Sequence, residues 1–82
     1  MQSDEYRQAQ VAMAGLKAAI VSLLERQSGE MTNAQIGRTL GIYGGHEGHV
    51  GHISRTLLAM LEQEGVVEQN ESSKGWTIRR HG

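Results

Sequence analysis

Residues 31–65, MTNAQIGRTLGIYGGHEGHVGHISRTLLAMLEQEG, decide the fold of this 82-residue chain. The segment holds a short stretch with helix-start signals and a connector rich in glycine and histidine. A longer amphipathic stretch follows and ends in glycine. Capping residues begin helices and glycine ends them, so these features predict two helices. We therefore expect a helix-turn-helix.

The shorter of the two helices has a well-defined start and end in the sequence. Thr32 and Gln35 have the T-x-x-Q spacing of a capping box. Ile36 lies on the side that should be buried, and Gly41 supplies the stop. Gly37 lies where a larger side chain would collide with the next helix, as a tight helix-helix corner requires.

The longer helix is expected to span residues 48–64. Its apolar residues repeat at helical spacing and predict one buried side: Val50, Ile53, Leu57, Met60 and Leu61. The opposite face should carry His52, Arg55, Thr56, Ala59 and Gln63. A start this early places Gly48 and Gly51 inside the helix, each at a cost of about 1 kcal/mol relative to Ala. Counted to the segment that begins at Ile53, the connector is about six residues longer than such a turn needs. A start near Gly48 makes Tyr43-Gly44-Gly45 the turn itself.

A further helix is predicted upstream of this segment. Residues up to Gln27 lack proline and are rich in good helix formers, with Ser3 or Asp4 as N-cap. Ser28 and Gly29 should end the helix, with the glycine in a left-handed conformation. The buried stripe is Met13, Leu16, Ile20, Leu23 and Leu24. Residues 1–10 have little to bury and form an arm, frayed or helical, while residues 11–82 form the domain.

Downstream of Gly65, the sequence predicts a β-hairpin over residues 66–80. Residues 66–69 and 76–80 are rich in β-branched and aromatic side chains, and a polar connector separates them. Val67, Trp76 and Ile78 should cover the helices, with Thr77 and Arg79 pointing outward. Residues around Met31 are expected to add a minimal third strand. The expected fold is therefore mainly α with a small hairpin.

Composition limits the classes of partner. Eight Lys and Arg against nine Asp and Glu give a net charge of −1, so any basic surface must come from local segregation. The chain has no cysteine and no apolar run long enough to cross a bilayer, so we expect a cytoplasmic protein without a membrane partner. Residues typical of catalytic sites do not occur at catalytic spacing. We expect no enzyme activity, no cofactor and no small-molecule substrate.

The order of three helices and a hairpin resembles the winged helix-turn-helix domains of small bacterial transcription regulators. Two segments carry the likeness, TNAQIGRTLGI at residues 32–42 and ISRTLLAMLEQEGVVEQ at residues 53–69. Gly37 and Gly41 stand at the small-residue positions of the first segment. The resemblance implies binding of double-stranded DNA, with helix 48–64 in the major groove and hairpin 66–80 as the wing. It also implies a homodimer, whose two half-sites would offset the weak charge of one module.

The resemblance also implies which residues face DNA. At the exposed front of the longer helix they are His52, Ser54, Arg55 and Thr56. At the start of the shorter helix, Thr32 and Asn33 would meet a phosphate, and Arg38 would add a backbone contact. On the hairpin they are Lys74 and Arg79. Acidic residues lower the expected affinity: Glu47, Glu62, Glu64, Glu68 and Glu71.

A second function remains open from the residues alone. The same fold can act as a protein-protein interaction module that does not bind DNA, gripping a partner with the third helix or the N-terminal arm. This alternative predicts an apolar surface patch around Val11, Leu58 or Tyr43. The two functions differ in whether the amides of the third helix respond to duplex DNA.

Three histidines at three-residue spacing raise the question of a metal site. Helix geometry separates such neighbours by 60° in projection, so His46 and His52 diverge by about 120°. A pair such as His46 and His49 could chelate an ion only with further ligands, and no cysteine can complete the set. We expect exposed histidines and no bound metal.

Overall fold

The computed structural model describes residues 3–44 and 51–80 of the chain. In order, the elements are the helices α1 (Asp4–Arg26), α2 (Asn33–Leu40) and α3 (His52–Gln63), followed by the strands β1 (Val67–Gln69) and β2 (Trp76–Ile78). The strands pair antiparallel, with Val67 opposite Ile78 and Gln69 opposite Trp76. The prediction of a mainly helical chain with a small hairpin is confirmed.

Helix α1 begins at its predicted cap and ends earlier than predicted. The Tyr6 N–H donates to Ser3 Oγ at 3.0 Å, which satisfies one of the unpaired amides of the first turn. The helix ends at Arg26, and Gln27 is extended with φ −88°. The predicted left-handed glycine end is therefore wrong, because Gly29 does not have a positive φ. Residues 4–10 are helical and exposed, so this arm is an extension of α1.

Helix α2 has the predicted boundaries. The Gln35 N–H donates to Thr32 Oγ1 at 3.1 Å, and the Thr32 N–H donates to Gln35 Oε1 at 2.9 Å, which completes the capping box. Gly41 ends the helix in the left-handed region with φ 74°. Both ends depend on atoms within a few residues of one another, which is why the sequence shows them.

Helix α3 begins four residues later than predicted. Gly51 precedes it with φ 77°, a left-handed conformation that does not occur inside a regular right-handed α-helix. A Cβ at Gly51 would lie 2.7 Å from Tyr43 Cε1 and 2.8 Å from Asn33 Nδ2. Glycine is thus required there both by the backbone conformation and by close contacts. Gly48 and Val50 lie outside the described residues.

The buried face of α3 differs from the predicted one. It consists of Ser54, Leu57, Leu58 and Leu61. Ile53, predicted to be buried, is 48% exposed, and Met60 is half-buried. Leu58 is fully buried, so the expectation of a surface patch around it is wrong. The buried set follows the i, i+3, i+4, i+7 spacing, but its first member is a serine. A pattern of apolar residues alone therefore did not predict this buried face.

The hairpin packs on the helices through the predicted residues. Val67 and Trp76 are buried, and Ile78 is half-buried against the core. Met31 joins Trp76 in an isolated antiparallel bridge with backbone hydrogen bonds of 3.1 and 2.7 Å, as predicted. One core thus unites all elements: Ile20, Leu23, Leu24, Met31, Ile36, Leu57, Leu58, Leu61, Val67 and Trp76. Within residues 3–44 and 51–80, none of the helices has the length and apolarity needed to cross a bilayer.

Candidate nucleic-acid interface

The residues predicted to face DNA fall into two groups according to their exposure. The exposed ones are Thr32, Arg38, His52, Arg55, Thr56, Lys74 and Arg79. Asn33 is half-buried, and Ser54 has no exposed surface. The prediction that Ser54 lies at the exposed front of α3 is therefore wrong.

Asn33 and Ser54 join the starts of α2 and α3. Ser54 Oγ donates to Asn33 Oδ1 at 2.7 Å, and Asn33 Nδ2 donates to the Gly51 carbonyl oxygen at 3.2 Å. Ser54 Oγ also lies 3.2 Å from that carbonyl oxygen. Because Ser54 is buried, these bonds satisfy polar groups that would otherwise be costly to bury. They fix the first turn of α3 against the first turn of α2.

Tyr43 fills the corner between the same two helices. A Cβ at Gly37 would lie 2.8 Å from Tyr43 Cδ1 and 3.0 Å from Ser54 Oγ, so only glycine fits without a shift. The Arg38 guanidinium carbon lies 4.7 Å from the centroid of the Tyr43 ring, within cation–π range. This contact positions Arg38, although the residue as a whole is exposed. It also places a charge over the ring that was expected to contribute to an apolar patch.

The exposed face of α3 carries the residues that its helical spacing predicted. His52, Arg55, Thr56, Ala59 and Gln63 are all exposed. His52 and Arg55 also take part in interactions within the chain. Glu62, likewise exposed, lies near the C-terminal end of the helix. The cationic and hydroxyl side chains thus lie toward the start of α3, and the acidic one toward its end.

The hairpin loop is ordered by one asparagine. Asn70 Oδ1 accepts hydrogen bonds from the Ser72 N–H at 2.8 Å and the Ser73 N–H at 3.1 Å. Lys74 has a left-handed φ of 66°, and its N–H donates to the Asn70 carbonyl oxygen at 2.7 Å. The exposed Lys74 side chain therefore extends from a defined turn.

Glu30 contacts the base of this loop, which the sequence patterns did not predict. The Ser73 hydroxyl donates to Glu30 Oε1 at 2.5 Å. A Cβ at Gly75 would lie 2.5 Å from Glu30 Cβ, so the backbone passes very close to this side chain. Residues 30 and 75 are far apart in the chain, and no local pattern links them. An acidic group thus lies close to the loop that carries Lys74.

One acidic residue of the α3 region has a cationic partner. Lys17 Nζ lies 2.6 Å from Glu64 Oε2, which joins α1 to the end of α3. The side chain of Lys17 is 21% exposed and that of Glu64 is 46% exposed, so the pair contributes little to stability. The pair also offsets one negative charge beside α3.

An apolar groove runs between the N-terminal half of α1 and α3. Its volume is about 440 Å³. It is lined by Ala9, Ala12, Met13, Leu16, His52, Ile53, Thr56, Leu57 and Met60. His52 and Thr56 therefore border both the groove and the exposed face of α3. Ile53 and Met60 line the groove because they lie outside the fully buried face of α3. The sequence pattern predicted that both were buried, so it did not predict the groove.

The histidine pair considered for a metal, His46 and His49, lies outside the described residues.

Four of the eight Lys and Arg residues lie on α2, on α3 or in the hairpin region: Arg38, Arg55, Lys74 and Arg79. The other four lie on α1 or at residue 80.

In comparisons with known proteins, no protein-family model, no curated protein and no solved structure matches this chain.

Proposed function

We propose that the chain is a cytoplasmic DNA-binding protein of the winged helix-turn-helix type that regulates transcription. In this proposal α3 enters the major groove and the hairpin acts as the wing. The observation that carries it is the exposed face of α3, where Arg55 and Thr56 lie on a helix whose first turn is fixed to α2. A reading helix must be held rigidly, because contacts to base edges depend on its orientation.

The exposed side chains suit different parts of a duplex. Arg55 can donate two hydrogen bonds to guanine or to a phosphate, and Thr56 can contact either a base or a phosphate. At the start of α2 the capping box leaves other amides available to a phosphate, since a helix leaves its first four N–H groups unpaired. Lys74 and Arg79 supply cations on the hairpin side. Ser54 and Asn33 support this surface from within.

Backbone amide shifts of the full chain, titrated with a mixed-sequence duplex, test the proposal. We expect the amides of Arg55, Thr56 and Lys74 to move at about 50 mM salt, where phosphate attraction is strong. Arg55→Ala should weaken binding about tenfold, within the range for one guanine or phosphate contact. Arg26→Ala, which removes an exposed arginine of α1 that is not part of α2, α3 or the hairpin, is the matched control and should leave binding unchanged. Unmoved amides at low salt would contradict the proposal.

The α1–α3 groove favours a second candidate, a protein-protein interaction module. An apolar groove between two helices suits the apolar side of a partner helix. Val11, also expected in an apolar patch, is 67% exposed on the same helix. In the same spectra, adding a synthetic leucine-rich amphipathic helix would shift the amide resonances of Ala9 and Met60, which line the groove and are not among the predicted DNA contacts. Shifts at these two residues, abolished by Ile53→Glu and without any response to DNA, would favour this function.

A further inference from the structure

Helix α1 has a second face that contacts the core only at Val21, which is half-buried and packs against it. Its residues are separated alternately by four and three positions, the spacing that keeps side chains aligned along a helix. They are Arg7, Val11, Ala14, Ala18, Val21 and Glu25. The opposite side of the helix makes the main contact with the core, through the buried Ile20, Leu23 and Leu24. We call the six residues the outer face of α1.

The outer face is apolar in its middle and open to water. Val11 is 67% exposed, Ala14 and Ala18 are exposed, and Val21 is half-buried. Apart from its chain neighbours and its own helix backbone, no atom lies within 4 Å of where a Cβ of Gly15, next to Ala14, would stand. Covering such a face removes apolar surface from water and is favourable by roughly 25 cal/mol per Å². An amphipathic surface helix would place polar residues here.

We propose that this face pairs with the same face of a second copy of the chain, with the two α1 helices antiparallel. The axis of symmetry passes near residue 16, so that Ala14 faces the partner's Ala18 and Ala18 faces the partner's Ala14. Such a two-fold interface uses the same surface on both copies. The proposal goes beyond DNA binding and does not depend on it.

Charge complementarity favours a second copy of the chain as the partner and an antiparallel arrangement of the two α1 helices. In the antiparallel pair Arg7 lies opposite the partner's Glu25, and the symmetry repeats the contact at the other end. A parallel pair would instead place Arg7 against Arg7 and Glu25 against Glu25, which is unfavourable. Among the residues that flank the outer face, Gln8, Gln10 and Ser22 are uncharged and Lys17 is paired with Glu64, while the charged Asp4 and Arg26 flank its two ends.

The small residues at the centre allow the helices to approach closely. With Ala14, Gly15 and Ala18 in the middle, the two axes can come to the short end of the usual 8–10 Å, about 8 Å. The face from Arg7 to Glu25 is about 27 Å long at 1.5 Å per residue. An interface of one helix pair is small, so we expect a reversible dimer of about micromolar affinity. The pairing does not use Arg55 or Lys74, because neither lies on α1.

Sedimentation equilibrium on the full chain tests the pairing by exchanging charges. Arg7→Glu and Glu25→Arg should each raise the dimer Kd about tenfold, because each places like charges together at both ends of the pair. The double variant Arg7→Glu/Glu25→Arg restores opposite charges and should return to within about threefold of the native Kd. Ala14→Glu introduces a charge into the centre and should give a monomer.

Glu5→Arg makes the same charge change as Glu25→Arg, at an exposed residue of the same helix on the side away from the outer face, and should leave the Kd unchanged. Circular dichroism of every variant verifies that α1 remains helical. A native chain that is monomeric at about 1 mM, or single exchanges that leave the Kd unchanged, or a double variant that does not recover, would each overturn the pairing. The monomeric Ala14→Glu variant still reports on DNA through Arg55, so failure of one proposal is distinguishable from failure of the other.

Discussion

Gly37 sets how closely α2 approaches the start of α3. The space that a side chain would need is occupied by Tyr43 and by the Ser54 hydroxyl, which lie 2.8 and 3.0 Å from the position a Cβ would take. Gly15, in the middle of α1, has no such neighbour. Both are helix-interior glycines, so they share the same backbone disadvantage of about 1 kcal/mol relative to alanine. Their surroundings alone distinguish them.

Alanine at these two positions should therefore have opposite effects. Gly37→Ala forces Tyr43 and Ser54 apart and should lower the free energy of unfolding by about 1–2 kcal/mol, after the gain in helix propensity. Gly15→Ala should raise it by about 0.5–1 kcal/mol. Urea unfolding, followed by the fluorescence of Trp76, the single tryptophan, measures both. Equal effects at the two sites would contradict the described corner.

At the scale of the element, α3 shows how a helix can be predicted correctly and still be turned the wrong way. Its existence and its stop at Gly65 follow from local residues, and Gly65 has the expected positive φ. The apolar pattern assigns its buried face through Ile53, whereas Ser54 and Leu58 are the residues without exposed surface. Leu57 and Leu61 are common to both faces, so the difference is a rotation of roughly 60° about the helix axis.

Truncation of one leucine and one isoleucine separates the two orientations. Leu58→Ala should lower the free energy of unfolding by about 3 kcal/mol, because it leaves a cavity in the core. Ile53→Ala, at a side chain 48% exposed, should lower it by less than about 1 kcal/mol. The same urea titration compares them. A larger loss at Ile53 would restore the orientation predicted from the apolar pattern.

For the whole molecule, a net charge of −1 limits how strongly the chain can hold DNA. The cations on the proposed surface are Arg38, Arg55, Lys74 and Arg79. Glu30 and Glu62 lie on or near the same elements. Long-range attraction is therefore weak, and affinity depends on local contacts.

The salt dependence of binding should reflect this small set of cations. In the monomeric Ala14→Glu variant, we expect the slope of log K against log salt to lie between about −3 and −4, since each neutralised phosphate contributes about −0.9. Adding Lys74→Ala should reduce its magnitude by about 1, whereas adding Arg26→Ala should not change it. Fluorescence anisotropy with a labelled duplex between about 50 and 200 mM salt measures the slope. A slope near zero would contradict a phosphate-contacting surface.

The sequence by itself determined the features that depend on neighbouring residues. The Ser3 cap, the Thr32 and Gln35 capping box, and the Gly41 stop all involve atoms within about four residues, so their energetics do not require the rest of the fold. Alternation of side chains likewise predicted which hairpin residues cover the core. Exposure of Arg55 and Thr56 followed from helical spacing.

Only the tertiary structure decided which side of α3 is buried, where α3 begins, and what its polar residues contact. Ser54 was expected on the surface, yet it bonds to Asn33, 21 positions earlier, and Glu30 reaches Ser73 across 43 positions. Contacts at such separations form only when the core brings elements together. Their hydrogen bonds stabilise a polar side chain in the interior, whereas a hydrophobicity pattern places that side chain on the surface. Gly51 takes its left-handed conformation beside Tyr43 and Asn33 for the same reason, because their positions depend on packing rather than on the residues next to them.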